Sequence, residues 1–313
     1  MNTKCRKVAI GTNILKVLCA LLLVSVSLSG CWWLWRDDTA EEPEISLYRI
    51  EDQETVNLEF EEYIAGVVAA EMEPDWPSEA LGAQAILART YAWRKIQDGG
   101  EHDRYGADAS DDVTSFQAYN AERINENVRQ AVSDTRGIVV KYNDSLALTW
   151  FHASSGGQTA DPQEGLEYDD EPVPYIHSVE EVEGADLREW SAEFDEDQVT
   201  AALDDMGYSV ESVNSVEVAE RGDSDRVTRL TINDIEISAP SFRVALDPED
   251  MQSTLLEEID VEDNGKVIFS GKGYGHGVGM SQEGAKAMAE QGSYPEEIIN
   301  YYYQDITLDV LWE

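Results

Sequence analysis

The chain has 313 residues, of which 42% are hydrophobic, so it can bury a full core in one large domain or two smaller ones. It carries 22 Lys and Arg residues against 64 Asp and Glu, a formal net charge of −42. Nucleic-acid binding depends on Lys and Arg that neutralise phosphates, so this charge excludes DNA and RNA as main partners. An acidic excess of this size indicates adaptation to high salt, where counterions screen self-repulsion.

Residues 1–35 have the charge pattern of an export leader. Four basic residues precede an apolar run at residues 17–30, the order found in export signals. The positive flank keeps the N-terminus inside, and the body of the protein is expected outside the cytoplasm. Residues 36–44 are polar and acidic and read as a linker to a body at residues 45–313.

Two kinds of membrane anchor fit this leader. Residues 28–31 (LSGC) resemble a lipoprotein cleavage site, in which Cys31 would carry the lipid. Alternatively, the apolar run continues through Trp35 to about nineteen residues, close to the ~20 of a spanning helix, with tryptophans at the interface. Both alternatives predict a protein anchored in the cytoplasmic membrane.

Two helices are predicted at the start of the body. Apolar residues recur at helical spacing over residues 58–72, and Pro74 and Pro77 follow and end that helix. Ser78 is a favourable N-cap for a second helix, which extends to Lys95 with small and apolar residues along one face. The two helices would form a hairpin.

The rest of the body mixes helices and strands without the alternation typical of a parallel βαβ protein. Further helices are predicted near residues 120–134 and at 281–291. Strands are predicted at 137–142, 146–152, 227–232 and 242–246. We therefore predict an α+β fold: a single extended domain with a helical hairpin and a strand-rich central and C-terminal part.

Glu71 has an unusual position for an acid. Helical spacing places it four residues after Val67 and seven after Ile64, on the apolar face near the C-terminal end of the first helix. Desolvation and the negative end of the helix dipole both disfavour the carboxylate there, which raises its pKa toward neutrality, as a general acid requires. The alternative is a structural ion pair with Arg89, which would lower the pKa of Glu71 instead.

The other polar residues indicate neither a nucleophile nor a metal site. Ser154 and Ser155 lie in a glycine loop that lacks a G-x-S-x-G elbow, so we interpret them as turn or sugar-binding residues. The four histidines show no H-E-x-x-H or other ligand spacing. The last of the three cysteines is Cys31, so the body contains neither a disulfide framework nor a cysteine metal site.

Three stretches together resemble the stage II sporulation protein D family, also described as the amidase-enhancer or LytB-type domain. They are residues 66–92, with GVVAAEM, WPSEAL and AQAILARTYA, residues 151–159 (FHASSGGQT) and residues 273–282 (GYGHGVGMSQ). The resemblance implies a lytic transglycosylase that cuts peptidoglycan glycan strands, with a role in wall remodelling during sporulation. It also implies a peptidoglycan amidase as partner, which strips stem peptides and leaves bare glycan as the preferred substrate.

Residue by residue, the family's catalytic glutamate falls on Glu71 and its important arginine on Arg89. The residues that the resemblance implies for sugar binding are Arg89, Tyr119, Ser154, Ser155, His276 and Gln282. Some relatives have a zinc site of cysteines and histidine before the Gln-x-Tyr motif. This chain keeps His102 but has Ser110 and Phe116 in place of the cysteines, so we expect no metal and no other cofactor.

A single assigned carboxyl favours a transglycosylase over a hydrolase, which needs two acids flanking the bond. Glu71 would protonate the glycosidic oxygen and then deprotonate the C6 hydroxyl of N-acetylmuramic acid, which attacks its own C1 and leaves a 1,6-anhydro end. Two rival hypotheses stay open: a noncatalytic wall-binding activator of an amidase, and a zinc hydrolase that uses His152 and His276.

Overall fold

A computed structural model describes residues 41–313 of the chain. The predicted anchor at residues 1–35, including Cys31, lies outside the described residues, as does most of the predicted linker at 36–44. Within residues 41–313, no helix combines the length and the apolar character needed to cross a membrane.

The described chain is built from short strands and helices. The strands are β1 (Glu44–Arg49), β2 (Glu54–Glu59), β3 (Ala109–Ser110), β4 (Ile138–Tyr142), β5 (Ser145–Leu146), β6 (Phe151–His152), β7 (Glu189–Phe194), β8 (Val216–Arg221), β9 (Val227–Ile232), β10 (Ile235–Ser238), β11 (Leu256–Val261), β12 (Val267–Lys272), β13 (Met280–Ser281) and β14 (Thr307–Val310). The helices are α1 (Phe60–Glu71), α2 (Ser78–Gln97), α3 (His102–Tyr105), α4 (Glu126–Asp134), α5 (Pro162–Leu166), α6 (Glu196–Asp205), α7 (Ala239–Leu246), α8 (Gln282–Glu290) and α9 (Pro295–Tyr302), with a 3₁₀ helix at Ala121–Arg123. This mixture confirms the α+β class.

Helices α1 and α2 pack against each other as the predicted hairpin. Helix α1 ends at Glu71 because the backbone of Met72 is extended, with φ −125° and ψ 160°. Helix α2 begins at Ser78 with Pro77 in the N-cap position. The Ser78 hydroxyl donates to the carboxylate of Glu79 and caps no backbone N–H. The prediction that Ser78 is the N-cap is therefore wrong by one residue.

The first hydrophobic core surrounds α2. Helices α1, α4, α8 and α9 and strand β4 all pack against this helix, whose residues 80–90 are buried without exception. This core combines residues 45–176 with residues 278–312. The two stretches are also joined by antiparallel pairing of β14 with β4, in the register Val310 to Ile138.

The second hydrophobic core lies within residues 190–269, between the two halves of the first. It contains two three-stranded antiparallel sheets, ordered β10-β9-β8 and β11-β12-β7, together with α6 and α7. The prediction of a strand-rich central part is correct. The C-terminal part is different from the prediction, because residues beyond 282 form α8, α9 and only one strand, β14.

Three element predictions need correction. Residues 242–246 belong to helix α7, which begins after Ser238 accepts a hydrogen bond from the Ser241 N–H and includes a proline in its first turn. The helix predicted near residues 120–134 is interrupted before Asn125, whose side chain caps α4 by accepting from the Val128 N–H. The strand predicted at 146–152 is reduced to its two ends, β5 and β6.

Two loops, residues 153–157 and 273–279, are joined where the cores meet. Strands β6 and β13 pair in parallel, and Ser154 and Tyr274 exchange backbone hydrogen bonds of 3.0 and 2.8 Å. Arg226 of the second core lies beneath both loops and donates to the carbonyl oxygens of Ser155 and Gln158 at 2.6 and 2.7 Å. A Cβ on Gly277 would lie 2.5 Å from the Arg226 guanidinium carbon, so only glycine allows this approach.

Candidate functional site

A groove of about 610 Å³ opens at the C-terminal end of α1, and we call it the Glu71 groove. The residues that line it are Glu71, Tyr91, Lys95, Val113, Thr114, Ser115, Phe116, Gln117, Thr149, Trp150, Phe151, Leu166 and His276. Glu71 is the only acid among these residues. Aromatic rings and uncharged polar side chains supply most of the rest, as in sites that hold sugars between apolar faces and hydrogen-bonding groups.

Glu71 lines this groove and is partly buried. Burial raises its pKa from 4.5 to about 7, against the opposing effects of a hydrogen bond from Gln282 and a backbone contact with Ala118. This is the direction that the sequence pattern predicts. A carboxyl with a pKa near 7 is largely protonated just below neutrality and can act as an acid and then as a base.

One amide side chain contacts the acid, and two more lie nearby. Gln282, the first residue of α8, places its Nε2 3.5 Å from Glu71 Oε2 and 3.4 Å from Gln84 Oε1. The Nε2 atoms of Gln84 and Gln117 are buried and have no hydrogen-bond partner among the described residues. Gln117 lines the groove, whereas Gln84 is fully buried behind Gln282.

His276 lines the groove, and His152 lies behind it with ring centroids 5.8 Å apart. Burial, with the positive charges of Arg243 and Arg226, lowers the pKa of His276 to about 3. Burial also lowers the pKa of His152 well below its ordinary value. Both rings contact Val278. His276 Nδ1 accepts from the Val278 N–H at 3.0 Å, and His152 Nδ1 lies 3.1 Å from the Val278 carbonyl oxygen.

No group of three or more His, Cys, Asp or Glu side chains suited to hold a metal occurs within the described part of the chain. At the positions that the resemblance links to zinc, His102 is exposed and lies 3.0 Å from Asp108. Ser110 is buried, and Phe116 packs edge-on against Tyr63 and Tyr91 in the groove wall.

Arg89 lies in the first core and does not line the groove. It is fully buried, and its Nε and Nη2 donate to the two carboxylate oxygens of Glu61 at 2.9 and 2.6 Å. Glu61 also accepts from the Gly137 N–H and from Trp312 Nε1, at 3.0 and 2.8 Å. The ion pair considered between Glu71 and Arg89 is therefore absent from the described structure, and direct contact of Arg89 with a sugar has no support in it.

Ser154 and Ser155 also face the protein. The Ser154 hydroxyl donates to the carbonyl oxygen of Asp186 at 2.7 Å, and the Ser155 hydroxyl donates to Glu181 Oε2 at 2.5 Å. Both serines are almost fully buried. They hold the loop of residues 153–157 to the segment before β7, which is a turn role.

Tyr119 packs against α1. Its ring stacks on Tyr63 at a centroid distance of 5.9 Å, and the Arg49 guanidinium lies 5.4 Å from its ring centre. A Cβ on Gly66 would meet the Tyr119 ring at 2.1 Å, so the glycine of GVVAAEM is required by this packing. Of the predicted site residues, the structure thus brings together Glu71, His276 and Gln282.

Comparison with known proteins gives two matches along the chain. The sequence model described as "Stage II sporulation protein" matches residues 49–142, and a "Domain of unknown function (DUF8618)" matches residues 174–279. The chain is 29% identical over 278 residues to "Stage II sporulation protein D" of Bacillus subtilis, covering 83% of this chain and 77% of that protein. The chain belongs to the stage II sporulation protein D family.

Other relatives extend this family assignment. An uncharacterized protein of Brachyspira hyodysenteriae is 33% identical over 253 residues, covering 80% of this chain and 67% of the relative. The "Amidase enhancer" of Bacillus subtilis is 30% identical over 293 residues, with 78% of this chain aligned. The chain spans only 40% of the length of that enhancer. The family model covers α1 and α2 and so includes Glu71, whereas the domain of unknown function covers the second core and the loop at 273–279.

Sequence reasoning missed most of the residues that form the groove. The helical pattern predicts Lys95 only as the end of the second helix. In the structure Lys95 lines the groove, one helical turn beyond Tyr91. Trp150 and Phe151 line the groove beside the Ser154 loop, and Trp150 packs edge-on against Tyr168 at 4.8 Å. Two consecutive aromatic residues before a glycine loop are a signal for a sugar platform, because aromatic faces pack against apolar pyranose faces.

Proposed function

We propose that this protein is a peptidoglycan lytic transglycosylase that uses Glu71 as its catalytic acid and base. The observation that carries the proposal is the Glu71 groove itself, which contains one carboxyl whose pKa burial raises to about 7. A hydrolase of the usual kind needs a second acid to supply a nucleophile or to activate water. A transglycosylase takes its nucleophile from the substrate and needs only one.

The proposed reaction has two proton transfers through the same carboxyl. Protonated Glu71 donates its proton to the glycosidic oxygen as the bond to C1 of N-acetylmuramic acid breaks. The carboxylate then takes the proton of the C6 hydroxyl, whose oxygen bonds to C1 and closes the 1,6-anhydro ring. Glu71 is protonated again at the end, and no water is consumed. Gln282, which contacts Glu71, and Gln117, which lines the groove, would hold the sugars by hydrogen bonds.

Incubation of the purified full-length protein with denuded glycan strands, with no other protein added, tests this activity. We expect soluble fragments with 1,6-anhydro ends, which are one water lighter than hydrolysed reducing ends in a mass spectrum. Glu71→Gln should lower the rate by ~10²- to 10⁴-fold, the usual contribution of general acid-base catalysis. The matched control is Glu73→Gln, because Glu73 is an exposed acid two residues away that pairs with Arg123. Reducing ends, or a Glu71→Gln protein that is folded and fully active, would contradict the proposal.

A noncatalytic activator of a peptidoglycan amidase is the second candidate, favoured by the 30% identity to a relative named for that effect. The same assay separates the two functions. An activator releases no glycan fragments alone but increases the release of stem peptides by an added amidase, and Glu71→Gln would leave that increase unchanged. For the zinc-hydrolase hypothesis, the measurement is the metal content of the purified protein, since stoichiometric zinc would support it.

We also propose that the protein is anchored in the cytoplasmic membrane and acts on its outer face during wall remodelling in sporulation. The basic and apolar leader supports the location, and the family membership supports the process. Protease added to intact, wall-stripped cells should degrade the chain beyond residue 44, and full protection would contradict this location. Cys31→Ala should abolish lipid labelling if the anchor is a lipid, and an unchanged protein would favour an uncleaved helix.

A further inference from the structure

A second chamber of about 390 Å³ lies next to the Glu71 groove. The residues that line it are Gly165, Leu166, Pro240, Ser241, Arg243, Val244, Ala245, Thr254 and His276. Leu166 and His276 line both spaces, so these two side chains form a shared wall between them. The two spaces are therefore direct neighbours.

The chamber has a positive character that is unusual for this protein. The chain contains 64 acidic residues among 313, yet none lines the second chamber. His276 is neutral there because its pKa is lowered to about 3, which leaves Arg243 as the charged lining residue. Arginine stays protonated at physiological pH, so the chamber presents one fixed positive charge.

The guanidinium of Arg243 is held in place with one end free. Its Nε donates to the Met251 carbonyl oxygen at 2.8 Å, and its Nη2 donates to the Pro248 carbonyl oxygen at 2.8 Å. Its Nη1 has no hydrogen-bond acceptor among the described residues. Because the side chain is already fixed, a ligand that accepts from Nη1 loses little affinity to ordering of this arginine.

We propose that the second chamber is a saccharide subsite and that Arg243 binds the lactyl carboxylate of an N-acetylmuramic acid residue next to the cleavage site. This inference rests on the proposed function. A stem peptide converts that carboxylate to an amide, whereas removal of the peptide restores the negative charge. Recognition by Arg243 therefore distinguishes denuded strands from strands that carry peptides. Pro240 and Val244 supply the apolar surface against which the sugar ring packs.

The subsite also gives a role to the second core. Five of its lining residues come from α7, which together with Thr254 belongs to the region matched by the domain of unknown function. Leu166 and Gly165 come from α5 of the first part of the chain. The second core would thus form the far wall of the substrate site. Arg226 joins it by hydrogen bonds to Ser155 and Gln158, next to the loop that carries His276.

Binding in a catalytically inactive background tests the subsite without cleavage. The probes are a tetrasaccharide of alternating N-acetylglucosamine and N-acetylmuramic acid with free lactyl carboxylates, and the same compound with those carboxylates converted to methylamides. Full-length Glu71→Gln protein should bind the acid form ~10- to 100-fold more tightly by calorimetry, as expected for a hydrogen bond to a charged group. Equal affinities for the two compounds would overturn the proposal.

Two further substitutions in the Glu71→Gln background assign the preference to Arg243. Arg243→Gln should remove it, but this change also removes the two carbonyl contacts and can unfold the chamber. Val244→Glu avoids that problem, because Val244 is 63% exposed and a carboxylate there would compete for Arg243. It should weaken binding of the acid form more than binding of the methylamide form, which loses only the packing against Val244. The matched control is Val310→Glu on β14, which is 47% exposed and lines neither space.

The outcomes separate the subsite from the catalytic proposal. If wild-type protein cleaves denuded glycan but Val244→Glu binds the acid form as tightly as Val310→Glu does, the subsite is wrong and the transglycosylase stands. If the acid preference is present and is lost in Val244→Glu, the subsite is correct even where no cleavage is detected, and only the catalytic assignment fails.

Discussion

Gln282 Nε2 lies 3.5 Å from Glu71 Oε2, and this contact joins the first residue of α8 to the last residue of α1. Gln84 Oε1 accepts from the same nitrogen at 3.4 Å, which orients the amide with its donor toward the acid. A donor near a carboxylate stabilises the charged form, so Gln282 opposes the burial that raises the pKa of Glu71. Two residues 211 positions apart therefore set the proton affinity of the groove together.

The first prediction concerns the pH dependence of activity. Glu71 must be protonated to act as an acid, so cleavage by the wild-type protein should fall as the pH rises through about 7. Gln282→Ala removes a donor to the carboxylate and raises the pKa of Glu71 further, so its alkaline limb should lie at higher pH than that of the wild type. The measurement is kcat/KM against pH, with the exposed Gln130→Ala as control. A limb that stays in place or moves down would refute the role of Gln282.

The second prediction concerns the buried pair of Arg89 and Glu61. Arg89→Met leaves the Glu61 carboxylate buried without its cation, so the free energy of unfolding should fall by about 3–5 kcal/mol in urea denaturation. Arg123→Met breaks an exposed pair with Glu73 and should cost less than about 1 kcal/mol. Because Arg89 does not line the groove, the KM of the folded fraction should be unchanged. An increased KM without lost stability would restore the sugar-binding role that the family resemblance implies.

How much the sequence predicts depends on the range of the interactions involved. The helices α1, α2 and α8 were predicted to within about two residues at most ends, because their apolar spacing and turn residues are local signals. The short apolar run at 242–246 carries no such signal, and the cap from Ser238 with the following proline makes it a helix. Periodicity alone cannot distinguish a buried strand from a buried helix over five residues.

The burial of Glu71 and its raised pKa could be predicted, because they follow from its position on the apolar face of its own helix. Arg89, Ser154 and Ser155 could not, since their partners Glu61, Asp186 and Glu181 lie at least 26 residues away in sequence. The second chamber depends on the same kind of distant contact, between α5 and α7. The positive charge in its lining could not be predicted either. The acidic composition describes the chain as a whole and not the residues that line one cavity.

The third prediction concerns salt. The 22 Lys and Arg residues cannot pair with 64 Asp and Glu, so most carboxylates remain uncompensated. Strands β8 and β11 contact each other and both expose acids, among them Glu217, Glu220, Glu258 and Asp260. Screening shortens the reach of this repulsion from ~10 Å at 0.1 M to ~3 Å at 1 M salt. The thermal midpoint should therefore rise clearly between low and molar sodium chloride.

Chloride is the informative anion for that measurement, because sulfate also strengthens hydrophobic burial and would raise the midpoint of any protein. A variant with Glu258→Gln and Asp260→Asn serves as the matched comparison. It should be more stable than the wild type at low salt, and the difference should shrink as salt is added. A midpoint that does not change with sodium chloride would mean that the carboxylates are too far apart to repel one another.

The last prediction links the stability of the protein to the Glu71 carboxyl. Burial raises its pKa from 4.5 to about 7, so the folded protein holds this proton more tightly than the unfolded chain does. Below about pH 4.5 the carboxyl is protonated in both the folded and the unfolded state, and no destabilisation arises. Between about pH 4.5 and 7 the unfolded chain loses this proton first, and the free energy of unfolding falls as the pH rises. Above about pH 7 the loss is complete, since the folded protein must then hold a buried carboxylate.

Glu71→Gln cannot ionise and should escape this loss. The difference in thermal midpoint, variant minus wild type, should therefore be small at about pH 5 and grow to a constant positive value at about pH 8. Glu73→Gln should show no such growth, because its carboxylate is 68% exposed and pairs with Arg123. A difference for Glu71→Gln that is equally small at both pH values would mean that water solvates the Glu71 carboxylate in the folded protein. Its pKa would then be ordinary, and the groove would lack the protonated acid on which the transglycosylase mechanism depends.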